Sequence, residues 1–345
     1  MMEKLTMEKL TLSKRNLLKF IEGLGTQNRI YAPVKDDEVP AFKEIKNLSS
    51  VNLVFSNTYM PPKALLFPQT ETLFKFIPGR KGEIEPIELD EKKTIIFGIR
   101  PCDAKSFDIL DRVFKVDNED PYFFARRNNS ILIGLSCNKP CDNCFCTSFE
   151  DSPASAKNVD ILLTDIGDKY YVEITTNKGK QLLKSLHKML KPSKKSDHKK
   201  KKEIEKKATE MISRQQKTND IAEKLDNLFE SPLWDEVAAK CIGCGICTYL
   251  CPTCHCFDIQ DESTLTKGAR VRVWDTCMNP EYTLQASGYN PRPGRTNRVR
   301  NRIYHKYAYY PKNFDTIACV GCGRCIDMCP VNIDIIDVVA KAGGD

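Results

Sequence analysis

Hydrophobic and polar positions divide the chain into two regimes. In the first half, short runs of branched apolar residues alternate with polar turns: KTIIFGI, SILIGLSC, DILLTDIG and KYYVEIT. Runs of this length and composition predict buried strands, and the GD between the last two marks a turn. KGKQLLKSLHKML then places Leu182, Leu183, Leu186, Met189 and Leu190 at helical spacing. Further on, Ile204, Ala208, Met211 and Ile212, then Ile221, Leu225, Leu228 and Phe229, predict two helical stretches leading into SPLWDEVAAK. IDIIDVVAKAGGD predicts a short terminal helix or strand ending in glycines.

The regimes meet in KPSKKSDHKKKKEIEKKATE. Residues 191–207 hold nine lysines against Asp197, Glu203 and Glu205. Blocks of like charge repel and stay solvated, so this segment predicts a linker. The expected architecture is therefore α+β. An N-terminal α/β domain (1–190) and the Lys-rich linker (191–207) precede an α-helical domain (208–345).

A chain of 345 residues can bury two cores. Its 41% hydrophobic and 29% charged content is ordinary; sixteen cysteines are not. The N-terminal stretch is charged throughout and lacks the apolar core of a signal peptide, and no apolar run is long enough for a bilayer span. Cytoplasmic, reduced, metal-bound thiols are thus expected in preference to disulfides. The net charge of +7 comes mostly from the Lys-rich segment. Metal-bound thiolates add negative charge that this tally omits, so the basic balance points only weakly to nucleic acid.

Two cysteine runs decide the chemistry. Cys241-x2-Cys244-x2-Cys247-x3-Cys251-Pro252 is repeated as Cys319-x2-Cys322-x2-Cys325-x3-Cys329-Pro330. In this bacterial ferredoxin spacing, three close cysteines hold one cubane and the fourth reaches across to the other. One cluster would take Cys241, Cys244, Cys247 and Cys329, the other Cys319, Cys322, Cys325 and Cys251. Gly243, Gly245, Gly321 and Gly323 supply the backbone freedom that lets N–H groups point at sulfur. Structural zinc is the alternative, but its usual C-x2-C pairings fit the duplicated run less well.

Residues 208–345 are thus expected to form an α-helical dicluster [4Fe-4S] ferredoxin-like domain, with residues 252–318 as the long insertion between the runs. The insertion carries Arg292, Arg295, Arg298, Arg300 and Arg302 with interleaved tyrosines. These arginines could offset the cluster charge and form a docking face, the preferred reading, or bind RNA, for which no fold motif is present. Cys254, Cys256 and Cys277 are left over. Cys254 and Cys256 flank His255 in an expected strand, an alternation that disfavours joint chelation, so packing is preferred for them.

Upstream, Cys137-x3-Cys141-x2-Cys144-x-Cys146 and Cys102 are each expected in loops that follow strands. Loops at neighbouring strand ends could converge, and Cys102, Cys137, Cys144 and Cys146 could close a third cluster with Cys141 spare. The alternatives are zinc on Cys137, Cys141, Cys144 and Cys146, or reduced packing thiols. Arg100 and Lys105 are expected to steady the charge beside Cys102. No G-x-G-x-x-G follows a strand, and His187, His198, His255 and His305 form no catalytic set.

The segments IYAPVKDD, MPPKALLF, FGIRPCDAKSFDILDRVF, DPYFFARR, CFCTSF and SPLWDEVAAKCIGCGICTYLCPTCHCFDIQD, together with RVWDTC, cover nearly the whole chain. They resemble the iron–sulfur beta subunit of cytoplasmic NiFe hydrogenases of the sulfhydrogenase type, and equally the A subunit of anaerobic sulfite reductase. The Lys-rich insert departs from that pattern. The resemblance implies a subunit relaying electrons between a flavin subunit that serves a nicotinamide-type carrier and a catalytic subunit, with no membrane partner. It also favours Cys102, Cys137, Cys144 and Cys146 as a third set. Two other classes remain as alternatives: a metal-stabilised scaffold or nucleic-acid-binding protein, and a reductase whose N-terminal domain binds flavin or substrate itself.

Overall fold

The computed structural model describes residues 9–36, 39–79 and 83–343. The first eight residues of the charged N-terminal start and the last two of the glycine-ended tail lie outside them. Twelve strands occur among the described residues: β1 (Lys9–Ser13), β2 (Arg29–Asp36), β3 (Val39–Glu44), β4 (Thr70–Ile77), β5 (Glu83–Pro86), β6 (Thr94–Ile99), β7 (Ser130–Leu135), β8 (Ile161–Asp165), β9 (Lys169–Ile174), β10 (Leu190–Pro192), β11 (Phe257–Ser263) and β12 (Gly268–Trp274). The larger sheet has the order β10-β1-β9-β8-β7-β6-β2-β3, the smaller β11-β12-β4-β5.

In the larger sheet β2, β6, β7 and β8 run parallel. A parallel sheet is covered on both faces, which is why its strands read as continuous apolar runs. Ile95, Phe97, Ile133, Leu135, Ile161 and Leu163 pack on the face covered by the helix Leu17–Gly25. Ile96, Ile99, Leu132 and Leu162 pack on the other face with the helix Pro101–Phe114. Adjacent parallel strands end at the same sheet edge, and ligands bind in such crevices. There β6 runs into Arg100–Cys102 and β7 into Ser136–Cys137. A bulge at Gly98, with φ of +80°, shifts the register before Ile99. A Cβ at Gly98 would press on Leu53 and Pro33 at 3.2 Å.

The structure departs from the expected architecture in several places. Cys102 sits in the first turn of the helix Pro101–Phe114 rather than in a loop; Pro101 starts that helix with its φ already set. The expected helix over residues 182–190 stops at Leu183 and gives way to a 3-10 turn and then β10. The Lys-rich segment is not a solvated linker. Its first residues complete β10, and Lys195–Glu210 is a helix. Acidic residues at i,i+4 offset the lysines, as in Lys199–Glu203, Lys201–Glu205 and Lys206–Glu210. Lys201 also reaches Glu173 of β9 at 2.9 Å, and His198 Nδ1 meets the Tyr171 hydroxyl at 2.7 Å. Nor is the C-terminal half purely helical. The insertion contributes β11 and β12, and β12 pairs with β4 from the N-terminal half. Arg272 of β12 is buried among Glu71 and Asp120, which sews the smaller sheet to the body.

The two halves interlock most closely at the second cysteine run. Arg324, between Cys322 and Cys325, is 3% exposed. It makes a bidentate contact with Asp103 at 2.6 and 2.8 Å and donates to the Thr58 carbonyl at 2.7 Å. Removing one partner of a buried ion pair strands the other charge, at a cost of about 3–5 kcal/mol. Arg324→Met should therefore lower the thermal midpoint of the anaerobic protein sharply. Arg324→Met combined with Asp103→Leu should recover a large part of the loss, because neither charge is then left alone.

Candidate metal centre

The first run leaves the helix Leu233–Lys240 at Cys241 and passes Gly243 and Gly245, whose φ values of +75° and +74° let the chain fold back on itself. Cys241, Cys244 and Cys247 line one cavity, and Cys329 of the second run lines it from the opposite side. Backbone donors face two of these sulfurs: Gly243 N–H to Cys241 Sγ at 3.4 Å and Ile333 N–H to Cys329 Sγ at 3.2 Å. Such donors stabilise negative charge on sulfur.

The second run places Cys319, Cys322 and Cys325 deeper, with Cys251 as an electrostatic neighbour of all three. Burial pushes the Cys322 and Cys325 thiols up to about 12, so bare thiolates are costly there. Coordination to iron removes those protons outright. Cys251 moves the other way and is held well below the usual thiol range. The Cys254 side chain and the Lys306 ammonium, 3.2 Å away, favour its charged form.

At the sheet edge, Cys102, Cys137, Cys144 and Cys146 line a separate cavity, together with Arg100, Gly321 and Cys322. The N-terminus of the helix Pro101–Phe114, with its partial positive charge, contributes Cys102. Arg100 is buried against carbonyls, donating to Leu135 O at 3.1 Å, Ser136 O at 2.8 Å and Ser56 O at 3.1 Å. Lys105, by contrast, turns away to the Phe149 carbonyl. Cys141 stands outside the cavity and lines a surface groove with Asn57, Tyr59 and Asp327.

The loop holding this third set rests directly on the second run. Phe145 N–H donates to Gly321 O at 2.8 Å, and Asn143 Nδ2 to Asp327 Oδ1 at 2.6 Å. Phe145 and Phe149 insert into the C-terminal core beside Trp234 and Tyr304. A Cβ at Gly321 would stand 2.5 Å from Phe145 C and 2.6 Å from Cys146 N, so only glycine admits this approach.

The remaining candidates have ordinary surroundings. Cys254, His255 and Cys256 lie just before β11 rather than within it. His255 and His305 meet edge to face at 5.2 Å, and burial pulls them down to about 4 and about 3, so both are neutral. Cys256 and Cys277 partner each other. Among the described residues no three His, Cys, Asp or Glu side chains are spaced for a single metal ion. The arginines of the insertion turn largely inward. Arg295 donates to Cys241 O at 2.8 Å, Arg298 to Pro293 O at 2.6 Å and Arg302 to Cys247 O at 3.4 Å, while Arg300 lies over Phe229 at 3.6 Å. Sequence reasoning missed Asp103, Arg324, Lys306 and Lys63. Lys63 is 2% exposed and donates to Cys254 O at 2.8 Å. Nothing in their local sequence marks them, since their partners lie far along the chain.

Comparison with known proteins accords with this geometry. Residues 240–333 match the model of the 4Fe-4S dicluster domain. The chain is 32% identical over 323 residues to the beta subunit of sulfhydrogenase 2 from Pyrococcus furiosus, covering 93% of this chain and 94% of that one. It is 25% identical over 240 residues to the beta subunit of F420-dependent formate dehydrogenase 1 from Methanococcus maripaludis, covering 66% and 55%. The chain is an iron–sulfur electron-transfer subunit whose dicluster domain carries two [4Fe-4S] clusters. The cysteines of the two runs supply a donor set suited to them. No helix among the described residues is long and apolar enough to cross a membrane.

The close approach at Gly321 can be measured. Gly321→Ala bears a left-handed backbone penalty of about 1–2 kcal/mol in addition to the clash with Phe145. Gly288→Ala, where φ is +81° and nothing lies within 4 Å, bears only the backbone part. Gly321→Ala should therefore lower the thermal midpoint more than Gly288→Ala and reduce the iron content, which Gly288→Ala leaves intact.

Proposed function

This chain belongs to the family of the sulfhydrogenase beta subunits, and from that premise we propose that it relays electrons through three [4Fe-4S] clusters inside a cytoplasmic multi-subunit oxidoreductase. The first cluster takes Cys241, Cys244, Cys247 and Cys329. The second takes Cys319, Cys322, Cys325 and Cys251, and the third Cys102, Cys137, Cys144 and Cys146. Each bound cluster supplies one-electron redox chemistry at a potential tuned by N–H···S bonds, burial and charge.

The single observation carrying this reading is that cysteines of the second set line the cavities of both other sets. Cys322 lines the cavity of the third set, and Cys325 lines that of the first. The second cluster is thereby the middle of a chain of three. One end opens at Cys244, which is exposed beside Ile242 at 58% exposure. The other lies behind the groove lined by Cys141 and Tyr59. Two ends suit two partners: a flavin subunit that serves a nicotinamide-type carrier, and a catalytic subunit acting on hydrogen, sulfite, sulfur or a related substrate. The names of the relatives, beta subunits of a sulfhydrogenase and a formate dehydrogenase, support a place in such a complex.

Anaerobic iron analysis with EPR tests the count. About twelve irons per chain are expected, and Cys137→Ser should remove about four of them. About eight irons, unaltered by Cys137→Ser, would reduce the relay to two clusters, and zinc in place of iron would overturn it. Cys251→Ser and Cys329→Ser should each abolish a different EPR signal if the ligands cross between the runs.

A further inference from the structure

Lys306 is 3% exposed, in the π-helical turn that continues the helix Arg295–Tyr304. Its ammonium has three N–H groups, and the structure gives it three acceptors: Cys251 Sγ at 3.2 Å, Thr253 Oγ1 at 3.0 Å and Ala318 O at 2.9 Å. Among the described residues no carboxylate pairs with it. A buried ammonium without a counter-ion carries a large desolvation penalty, so buried charges are paired. The other buried cations near the cysteines are provided for differently. Arg324 has Asp103, Arg100 is spread over backbone carbonyls, Arg302 reaches the Cys247 carbonyl at 3.4 Å, and Lys63 rests on Cys254 O and the Trp274 ring at 4.3 Å. Of these, only Lys306 is aimed at a cysteine sulfur.

Thr253 reinforces that aim. Its hydroxyl lies 3.1 Å from Cys251 Sγ and 2.8 Å from Ala318 O, so it holds the ammonium and the sulfur in one frame. Ala318 immediately precedes Cys319, which ties the same lysine to the start of the second run.

We propose that Lys306 is the residue that sets the potential of the second cluster, through a charge-assisted N–H···S bond to Cys251 that raises it above what the same fold would give without the cation. The inference rests on Cys251 being a ligand of that cluster. One electron enters on reduction and no bond to hydrogen forms or breaks; the cluster with its four thiolates goes from about −2 to about −3. A fixed cation stabilises the more negative state, so the reduced form gains more than the oxidised form. In the middle of a relay, such a site accepts electrons readily from one neighbour. It also determines whether passage to the other is downhill.

EPR-monitored potentiometric titration of the anaerobic full-length protein tests this, with Lys306→Met, Lys306→Gln and Lys306→Arg. Cys251→Ser first identifies the signal of the second cluster by abolishing it. Lys306→Met and Lys306→Gln should shift the midpoint of that signal to lower potential and leave the other midpoints in place. Lys306→Arg, which keeps the charge, should stay close to the unaltered protein. A merely structural lysine would lower iron content or stability without moving one midpoint selectively. If Lys306→Met loses iron, the comparison of Lys306→Gln with Lys306→Arg decides. Equal midpoints in all the variants, with Cys251→Ser still abolishing a signal, would overturn the role of Lys306 alone. If Cys251→Ser leaves every signal and all the iron in place, the ligand assignment fails instead.

Discussion

Arg324 and Asp103 hold the molecule together at the point where its two kinds of structure meet. Asp103 belongs to a helix that starts at the edge of a parallel sheet, and Arg324 lies between two cysteines of a ferredoxin-like run. Both charges are out of water, so each depends on the other to be tolerable there. Their bidentate contact fixes the run against the helix that carries Cys102. The cysteine loop 137–146 then lies on Gly321, and Phe145 and Phe149 enter the far core. If the pair were loosened, the cavity lined by both Cys102 and Cys322 would lose the contact that fixes its two sides together.

The same requirement shapes the rest of the interior. Three groups of cysteines lie close together, and their thiolates need positive charge or N–H donors once water is excluded. The fold meets the need with separate devices: glycine turns that aim backbone N–H groups, a helix N-terminus at Cys102, arginines braced on carbonyls, and a lysine held on Cys251. Because these groups come from different elements, each site has its own electrostatic surroundings. Sites of one chemical type can then differ in potential, which is what a relay requires.

In the proposed relay the second run sits in the middle. Cys325 lines the cavity of the first set and Cys322 that of the third, so electrons would pass from one side of the protein to the other without a partner reaching its centre. The insertion between the runs supports this arrangement structurally. Its hairpin pairs with β4 of the N-terminal half, and its arginines brace the cysteine loops. It does not present a single basic face.

The amino-acid sequence by itself determined the iron–sulfur chemistry, because C-x2-C-x2-C-x3-C-P is a local pattern whose geometry is set by spacing and by glycines with few alternatives. It also determined the buried strands β6 to β9, whose unbroken apolar runs suit a sheet covered on both faces. Other features lay beyond reach. The Lys-rich segment read as solvated because its composition hides the i,i+4 pairing and the contact with Glu173 that make it a packed helix. The hairpin β11–β12 belongs to a sheet whose other strands lie far upstream. The convergence of Cys102 with Cys137, Cys144 and Cys146 was open to the sequence only as one alternative among several, and the parallel pairing of β6 and β7 is what brings the two segments to one edge. The placing of Arg324, Lys63 and Lys306 followed from partners far along the chain. Only the tertiary structure decides which distant charges meet, since the cost of a buried charge is paired off in space, where sequence spacing carries no signal.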